Sequence, residues 1–263
     1  MMVHRNGIRG FTLIEMIGVL AITAIVAAAI TPNVVRQLSA ANADAEARTL
    51  ELLGDALRDY IESNKRIPGL ANVDWSGSIA QMAAIPTASV LQNERGFRRG
   101  YYVDPRFFTT SDLRFNAYQQ QRGLATAPVS PRIMLVSMLK QNVPNPPNSS
   151  ADFDAIWQQT NRASLVEGTN VHIERINLSD LFQQVVLIND LEVQPSYRIE
   201  GGPATRLALG SAGGRLGLTR FIVRGSRLEL VNDGGVQERT VLVRDSSSAI
   251  FTDAGGSGRW DLL

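Results

Sequence analysis

The feature that most constrains this chain is an apolar run close to its N-terminus. Residues 11–30 contain a single charged side chain, that of Glu15. As an α-helix rising about 1.5 Å per residue, the run would be about 30 Å long, which matches the hydrocarbon core of a bilayer. Arg5 and Arg9 precede the run without an acidic residue, so the positive-inside rule places the N-terminus in the cytoplasm. The sequence therefore predicts a membrane-spanning helix at residues 11–31 and an exported remainder.

Glu15 is the exception within that run. A carboxylate inside a membrane costs about 2.5–3.5 kcal/mol on insertion scales and usually has a partner. Glu15 closes the string Gly10-Phe11-Thr12-Leu13-Ile14-Glu15, which resembles the processing site of type IV pilins and type II secretion pseudopilins. The resemblance implies that a prepilin peptidase cuts after Gly10 and that the new N-terminal Phe11 is methylated. It also implies that Glu15 pairs with the amino terminus of a neighbouring subunit, and that the helix bends at Pro32.

Other interpretations of the same stretch stay open. Glu15 at the membrane interface would reach water and need no partner. Alternatively, residues 16–26 are the apolar core of an ordinary signal peptide that is cleaved near Ala29, or the helix is an uncleaved anchor. In both of these last cases the exported part would be a binding or enzymatic domain. Against a signal peptide, Glu15 would lie beside its apolar core and weaken insertion.

Beyond Pro32 the sequence becomes amphipathic. Apolar residues recur at spacings of mostly three and four between residues 38 and 61, with charged residues at the other positions. This period predicts that the helix runs to about residue 64. Lys65 and Arg66 would suit its negative C-terminal end, and Pro68 stops it. Residues 56–68 also resemble the end of the first pseudopilin helix, although the glycine usual before the basic residue is absent.

The resemblance implies an α+β fold, in which a long N-terminal helix packs on a C-terminal antiparallel β-sheet head. The expected domains are a cleaved leader at residues 1–10, the long helix at 11–66 and a globular head at 67–263. Within the head we predict a helical and loop insertion at 67–165 and an antiparallel sheet at 166–263. The helix candidates of the insertion are residues 78–84, 112–121, 132–141 and 152–159, the last of which follows the helix-start signal Ser149-Ser150.

Short β-branched and alternating segments follow one another after residue 170. Two hairpins are predicted, one about the turn Gly225-Ser226 and one about residues 232–235, where glycine and asparagine tolerate the turn conformations. Residues 250–251 are predicted as an edge strand. The remaining strand candidates are residues 171–176, 185–188, 197–200 and 206–209.

The composition gives no support to an enzyme. The chain has no cysteine, so it has neither a disulfide nor a thiol nucleophile, and its C-terminal region has to be held by packing, hydrogen bonds or a bound ion. His172 is the only histidine beyond the predicted leader, and we expect it on the surface of a strand. No Gly-x-Ser-x-Gly elbow is present, and the glycine-rich residues 210–217 lack the Gly-Lys-Ser/Thr ending of a phosphate loop. No catalytic residue is predicted.

One segment combines arginine with aromatic residues and is a possible interface. Such a composition is typical of protein interfaces and of single-strand nucleic-acid surfaces, but it also occurs where aromatic residues form a core and arginines cover its edge. All three interpretations are open, although the net charge of +1 gives no general attraction to nucleic acid. The candidate interface residues are Arg95, Arg98, Arg99, Tyr101 and Tyr102.

Cofactors, partners and location follow mainly from the resemblance. No cofactor is expected, except that residues 232–235 and 245–248 could offer oxygen ligands to calcium in the C-terminal head. The resemblance implies three partners: prepilin peptidase, other pilin or pseudopilin subunits and an inner-membrane assembly platform. It implies a single-pass protein of the inner membrane with its head outside the cytoplasm, and then a periplasmic or extracellular filament.

Overall fold

The computed structural model describes residues 13–106, 117–121, 131–159, 171–207, 216–253 and 258–263. Internal contacts divide the chain into two compact units, which we call the N-terminal unit, Met1–Ala45, and the head unit, Glu46–Leu263. The helices are α1 (Leu13–Asn64), α2 (Asn72–Ala83), α3 (Thr87–Leu91) and α4 (Ser150–Trp157). The strands are β1 (Gly100–Val103), β2 (Ala117–Gln121), β3 (Arg132–Met138), β4 (Val171–Asn177), β5 (Phe182–Asn189), β6 (Ser196–Ile199), β7 (Thr205–Arg206), β8 (Leu216–Val223), β9 (Arg227–Val231), β10 (Gln237–Leu242), β11 (Ser247–Asp253) and β12 (Gly258–Leu262).

The strands that the structure describes form three sheets. Their orders are β1-β3-β4, β10-β9-β6-β7 and β12-β11-β5-β8-β2. Neighbouring strands are antiparallel except β11 and β5, which run parallel. The long N-terminal helix followed by strand-rich sheets confirms the predicted α+β fold class.

The predicted apolar stripe of α1 forms one side of the principal core. Leu50, Leu53, Leu57 and Ile61 are each at most 1% exposed and belong to one cluster with apolar residues of β1, β3, β4 and β8. Burying a leucine or isoleucine side chain contributes about 1.5–3 kcal/mol, so this stripe is a major source of stability for the head unit. Helix α1 therefore packs on the sheets through this stripe, as the resemblance implied.

Helix α1 ends at Asn64. Lys65 leaves the helix with a φ of 55°, and its ammonium donates to the carbonyl of Arg224 at 2.8 Å. The positive charge therefore holds a turn of the head unit and does not cap the helix end.

The prediction that residues 67–165 form an insertion of helices and loops is wrong, because this segment contributes strands β1, β2 and β3 to the sheets. Residues 132–138 form a strand and not a helix, and β3 lies between β1 and β4. Ile133 and Leu135 face the principal core while Met134 and Val136 face another cluster, so both faces of the strand are buried. An unbroken apolar run has no diagnostic period, and its leucine and methionines favour helix by propensity.

The other helix predictions in this segment had mixed outcomes. Residues 117–121 form strand β2, while the rest of the candidate at 112–121 lies outside the described residues. The first candidate falls largely within α2 and the last corresponds to α4. At α4 the hydroxyl of Ser149 accepts from the amide of Asp152 at 3.1 Å, as the sequence signal for a helix start predicted.

The prediction of a hairpin about Gly225-Ser226 is also wrong. β8 has β5 and β2 on its two edges, so β9 joins a different sheet. Gly225, at a φ of 81°, turns the chain from the five-stranded sheet into the four-stranded one. The hairpin of β9 and β10 is confirmed, whereas β11 lies between β5 and β12 and is not an edge strand.

Candidate assembly surface and charged clusters

The N-terminal unit exposes an apolar helical surface. Within α1 its large apolar side chains are 48–79% exposed. An 18-residue stretch of this helix has a mean hydropathy of 2.5, and none of its residues is buried. By length and composition this helix is able to cross a membrane. Exposed apolar patches of such extent mark surfaces for lipid or protein contact. The residues are Leu13, Ile14, Met16, Ile17, Val19, Leu20, Ile22, Ile25, Val26, Ile30, Val34, Val35 and Leu38.

Two hydroxyl groups within this surface are satisfied by the helix itself. Thr23 Oγ1 donates to the carbonyl of Val19, and Thr31 Oγ1 donates to that of Ala27 at 2.6 Å. These bonds satisfy the two hydroxyls without water. A surface that faces lipid or other helices requires its polar groups to be satisfied in this way.

Glu15 lies in the first turn of α1 and is exposed. A carboxylate there interacts favourably with the positive end of the helix dipole. Gly10 and Phe11, which flank the predicted cleavage site, lie outside the described residues. Pro32 is inside α1, and the predicted bend there stays a prediction.

The arginine and aromatic segment is divided by burial. Arg99, Tyr101 and Tyr102 are 3%, 3% and 1% exposed, so the interface prediction is wrong for these three, which pack inside the head unit. Burial raises the pKa of both tyrosines, and each hydroxyl donates to a backbone carbonyl. Arg95 and Arg98 are exposed, so an interface role stays a prediction for them.

Arg99 forms a buried ion pair with Glu46 of α1. Its Nε and Nη2 donate to the two carboxylate oxygens at 2.7 and 2.8 Å, and the two residues are only 3% and 4% exposed. Its third nitrogen, Nη1, donates to the carbonyls of Ser89, Val90 and Gln92 around the end of α3. The pair therefore joins α1 to the segment that leads into β1. Sequence reasoning missed it because the two residues are far apart in the chain and Glu46 occupies an ordinary position among the charges of α1.

A second charged cluster surrounds Asp104. This carboxylate is fully buried and contacts Arg106 at 2.9 Å and Arg132 at 2.7 Å, and both arginines also contact Asp154. Burial raises the pKa of Asp104, and its hydrogen bonds with Arg106 oppose that effect. The guanidinium of Arg132 also lies 5.0 Å from the ring centroid of Trp157. The cluster ties β1, β3 and α4 together.

His172 is in strand β4 as predicted, but it is 2% exposed and so does not lie on the surface. The strand faces the interior on both sides here, which the alternating sequence pattern does not reveal. The glycine-rich segment is partly outside the described residues, because residues 210–215 are not described. In the turn 232–235, the side-chain oxygen of Asn232 accepts from the amide of Val236 at 2.8 Å. Among the described residues, no three His, Cys, Asp or Glu side chains form a group that could hold a metal, and calcium binding stays a prediction.

The C-terminal strand is held without a disulfide. The indole nitrogen of Trp260 donates to the carbonyl of Val231 at 3.0 Å, and its backbone amide donates to Glu238 at 2.9 Å. Its ring is fully buried, with the ring of Phe251 at a centroid distance of 5.4 Å. These contacts show how packing and hydrogen bonds fix this strand, which was one of the means that the lack of cysteine left open.

Comparison with known proteins gives one match. A family model described as the prokaryotic N-terminal methylation motif matches residues 5–31. Comparisons with curated proteins and with solved structures gave no match. The motif identified in the sequence is therefore confirmed over the segment that contains Gly10, Phe11 and Glu15.

Proposed function

We propose that this chain, which has the prokaryotic N-terminal methylation motif at residues 5–31, is a structural subunit of a type IV pilus or a type II secretion pseudopilus. The motif supports a pilin-like protein, and a structural subunit rather than an enzyme. The observation that supports assembly most directly is the apolar surface of the N-terminal unit, whose large side chains are exposed over residues 13–38. A surface of this kind is stable only against lipid or against other apolar helices.

Processing would prepare this surface for assembly. Prepilin peptidase would cut after Gly10, and methylated Phe11 would become the first residue of a helix anchored in the inner membrane. When the subunit leaves the bilayer, neighbouring helices would replace lipid around residues 13–38. In such a dry environment an unpaired carboxylate is costly, so Glu15 would pair with the Phe11 amine of a neighbour and set its register.

The mature N-terminus tests the proposal. Intact-mass and peptide mass spectrometry of the protein from its own cells should show a chain that begins at N-methylated Phe11. The variant Gly10→Val should keep its leader, while the matched variant Gly7→Val should be processed normally. A chain that begins near Ile30, or a native protein that retains its leader, would refute the proposal and favour an exported domain with an ordinary signal peptide or anchor.

A second experiment distinguishes the two assemblies. For a pilus subunit, filaments sheared from the cell surface should contain the mature chain. For a pseudopilus subunit, deletion of the gene should stop the release of folded proteins from the periplasm while the cell surface keeps its filaments. Both roles would be contradicted if sheared filaments lack the chain and the deletion strain still releases folded proteins from the periplasm.

A further inference from the structure

Four basic side chains lie together where α1 ends on the head unit. Three of them are exposed and the fourth, Lys65, is half-buried. The ammonium of Lys65 donates to the carbonyl of Arg224 at 2.8 Å, and the amide of the next residue, Gly225, donates to the carbonyl of Val243 at 2.6 Å. These two bonds bring the end of α1, the turn after β8 and the segment after β10 to one place. We call the four side chains the basic patch: Lys65, Arg66, Arg224 and Arg244.

The basic patch is not neutralised by acids of its own chain. Within the described parts of the head unit, none of its four members forms an ion pair. The nearest acids in the sequence are Glu62, one turn before Arg66, and Asp245, directly after Arg244. Both are exposed, and in the same described parts neither forms an ion pair. The patch therefore keeps an excess of positive charge, which attracts an anionic partner.

A complementary surface lies on α1 of the same chain. Glu51, Asp55 and Asp59 are exposed and follow one another at a spacing of four residues, so they form a line along the helix with about 5–6 Å between neighbouring β-carbons. Arg58 lies within this stretch, but its guanidinium is bound by Asp180. Among the described residues the three acids form no ion pair, so the repulsion between them is not offset. We call these three residues the acidic row.

We propose that the basic patch of one subunit binds the acidic row of a second copy of this chain. The inference rests on the proposed function, in which the α1 helices of neighbouring subunits lie side by side, and it adds a contact between the head units. The two surfaces are opposite in charge, and every subunit carries both. By contrast, a net charge of +1 gives the whole chain no general attraction to a polyanion such as nucleic acid.

The geometry of this contact extends an assembly. The patch and the row are different surfaces, so a copy that offers its patch to one neighbour keeps its row for another. Such a contact repeats from subunit to subunit and does not close a two-fold dimer. The patch follows the end of α1, about ten residues beyond Asp55 at the middle of the row, so parallel helices would be offset by about 15 Å along their axis.

Cross-linking tests the contact, and the lack of cysteine in the chain makes the reaction specific. Asp55→Cys and Arg224→Cys chains with different tags would be produced together in cells that lack the unmodified chain, and the cells treated with a short bismaleimide. A product that carries both tags reports a contact between copies, because each chain has one cysteine. Its yield should exceed several-fold that from Asp55→Cys with Arg259→Cys, since Arg259 is an exposed arginine of β12 outside the patch. Equal yields would overturn the proposal.

Charge reversal supplies the second test. Glu51→Lys with Asp55→Lys reverses the row, and Arg224→Glu with Arg244→Glu reverses the patch. Either reversed chain alone should enter sedimentable assemblies several-fold less than the unmodified chain. The two reversed chains produced together should recover assembly, because each then meets an opposite charge. A folding defect would not be repaired in this mixture, so recovery separates loss of the contact from loss of the fold.

The outcomes distinguish this inference from the proposed function. A chain that begins at methylated Phe11 and assembles, but gives no specific cross-link or no recovery in the mixture, overturns the patch contact and leaves the proposed function standing. Normal assembly of the row-reversed chain with loss for the patch-reversed chain would also overturn it, because the partner of the patch would then be another anion. A chain that keeps its leader, or begins near Ile30, refutes the proposed function and with it this inference.

Discussion

Removal of the Glu46 carboxylate should strongly destabilise the head unit. Arg99 would remain 3% exposed, with three backbone carbonyls as partners but without its counter-charge. Breaking a buried ion pair by deleting one partner costs about 3–5 kcal/mol, because the charge that is left cannot reach water. For a head of this size, such a loss lowers the midpoint of thermal unfolding by about 6–20 °C.

The assay is denaturant unfolding of the full chain in detergent, followed by circular dichroism and by tryptophan fluorescence. Glu46→Ala is the test variant, and Arg259→Ala is the matched control. Arg259 contacts Asp261 at 3.5 Å with a side chain that is 57% exposed, so its loss should cost about 0–1 kcal/mol. The double variant Glu46→Leu with Arg99→Met removes both charges and should recover most of the lost stability, since apolar residues often replace buried pairs without cost.

The stabilities of the variants should follow a specific order. Glu46→Ala has to be the least stable, and the double variant has to be more stable than Glu46→Ala. If Glu46→Ala unfolds within 1 kcal/mol of the unmodified chain, as estimated for exposed pairs, then the burial of Arg99 does not impose the cost argued above. If the double variant is no better than Glu46→Ala, the loss comes from packing and not from an uncompensated charge.

Other substitutions test the assembly surface and the C-terminal strand. Glu15→Ala should block incorporation into filaments while the head unfolds normally, as measured by the amount of variant in sheared or cross-linked assemblies; normal incorporation would refute charge pairing. Trp260→Phe keeps the buried ring but loses the indole bond to Val231, so it should cost about 1–3 kcal/mol because a buried carbonyl loses its donor. The control Trp157→Phe should cost less, since that side chain is only partly buried and the variant keeps an aromatic ring beside Arg132.

Local chemistry was sufficient to predict several features of this chain. A run of apolar residues interrupted only by Glu15 has few structural solutions, so the membrane-competent helix and the methylation motif were readable without any tertiary contact. The same holds for the stripe that ends at Ile61, because a period of 3.6 residues fixes which side chains share a face of the helix. The N-terminal cap at Ser149 and the turn at Asn232 are also local, and both were predicted.

Tertiary structure alone decided the rest. The strand at residues 132–138 is buried on both faces, so its sequence has no period that would distinguish it from a helix. The turn at Gly225 has the chemistry of a hairpin, but strand pairing depends on which edges other strands already occupy. Arg99 resembled a surface residue because burial of an arginine depends on a carboxylate that lies 53 positions earlier, at Glu46. Sequence determines conformations over a few residues, whereas the pairing of distant charges and strand edges is settled only when the whole head packs.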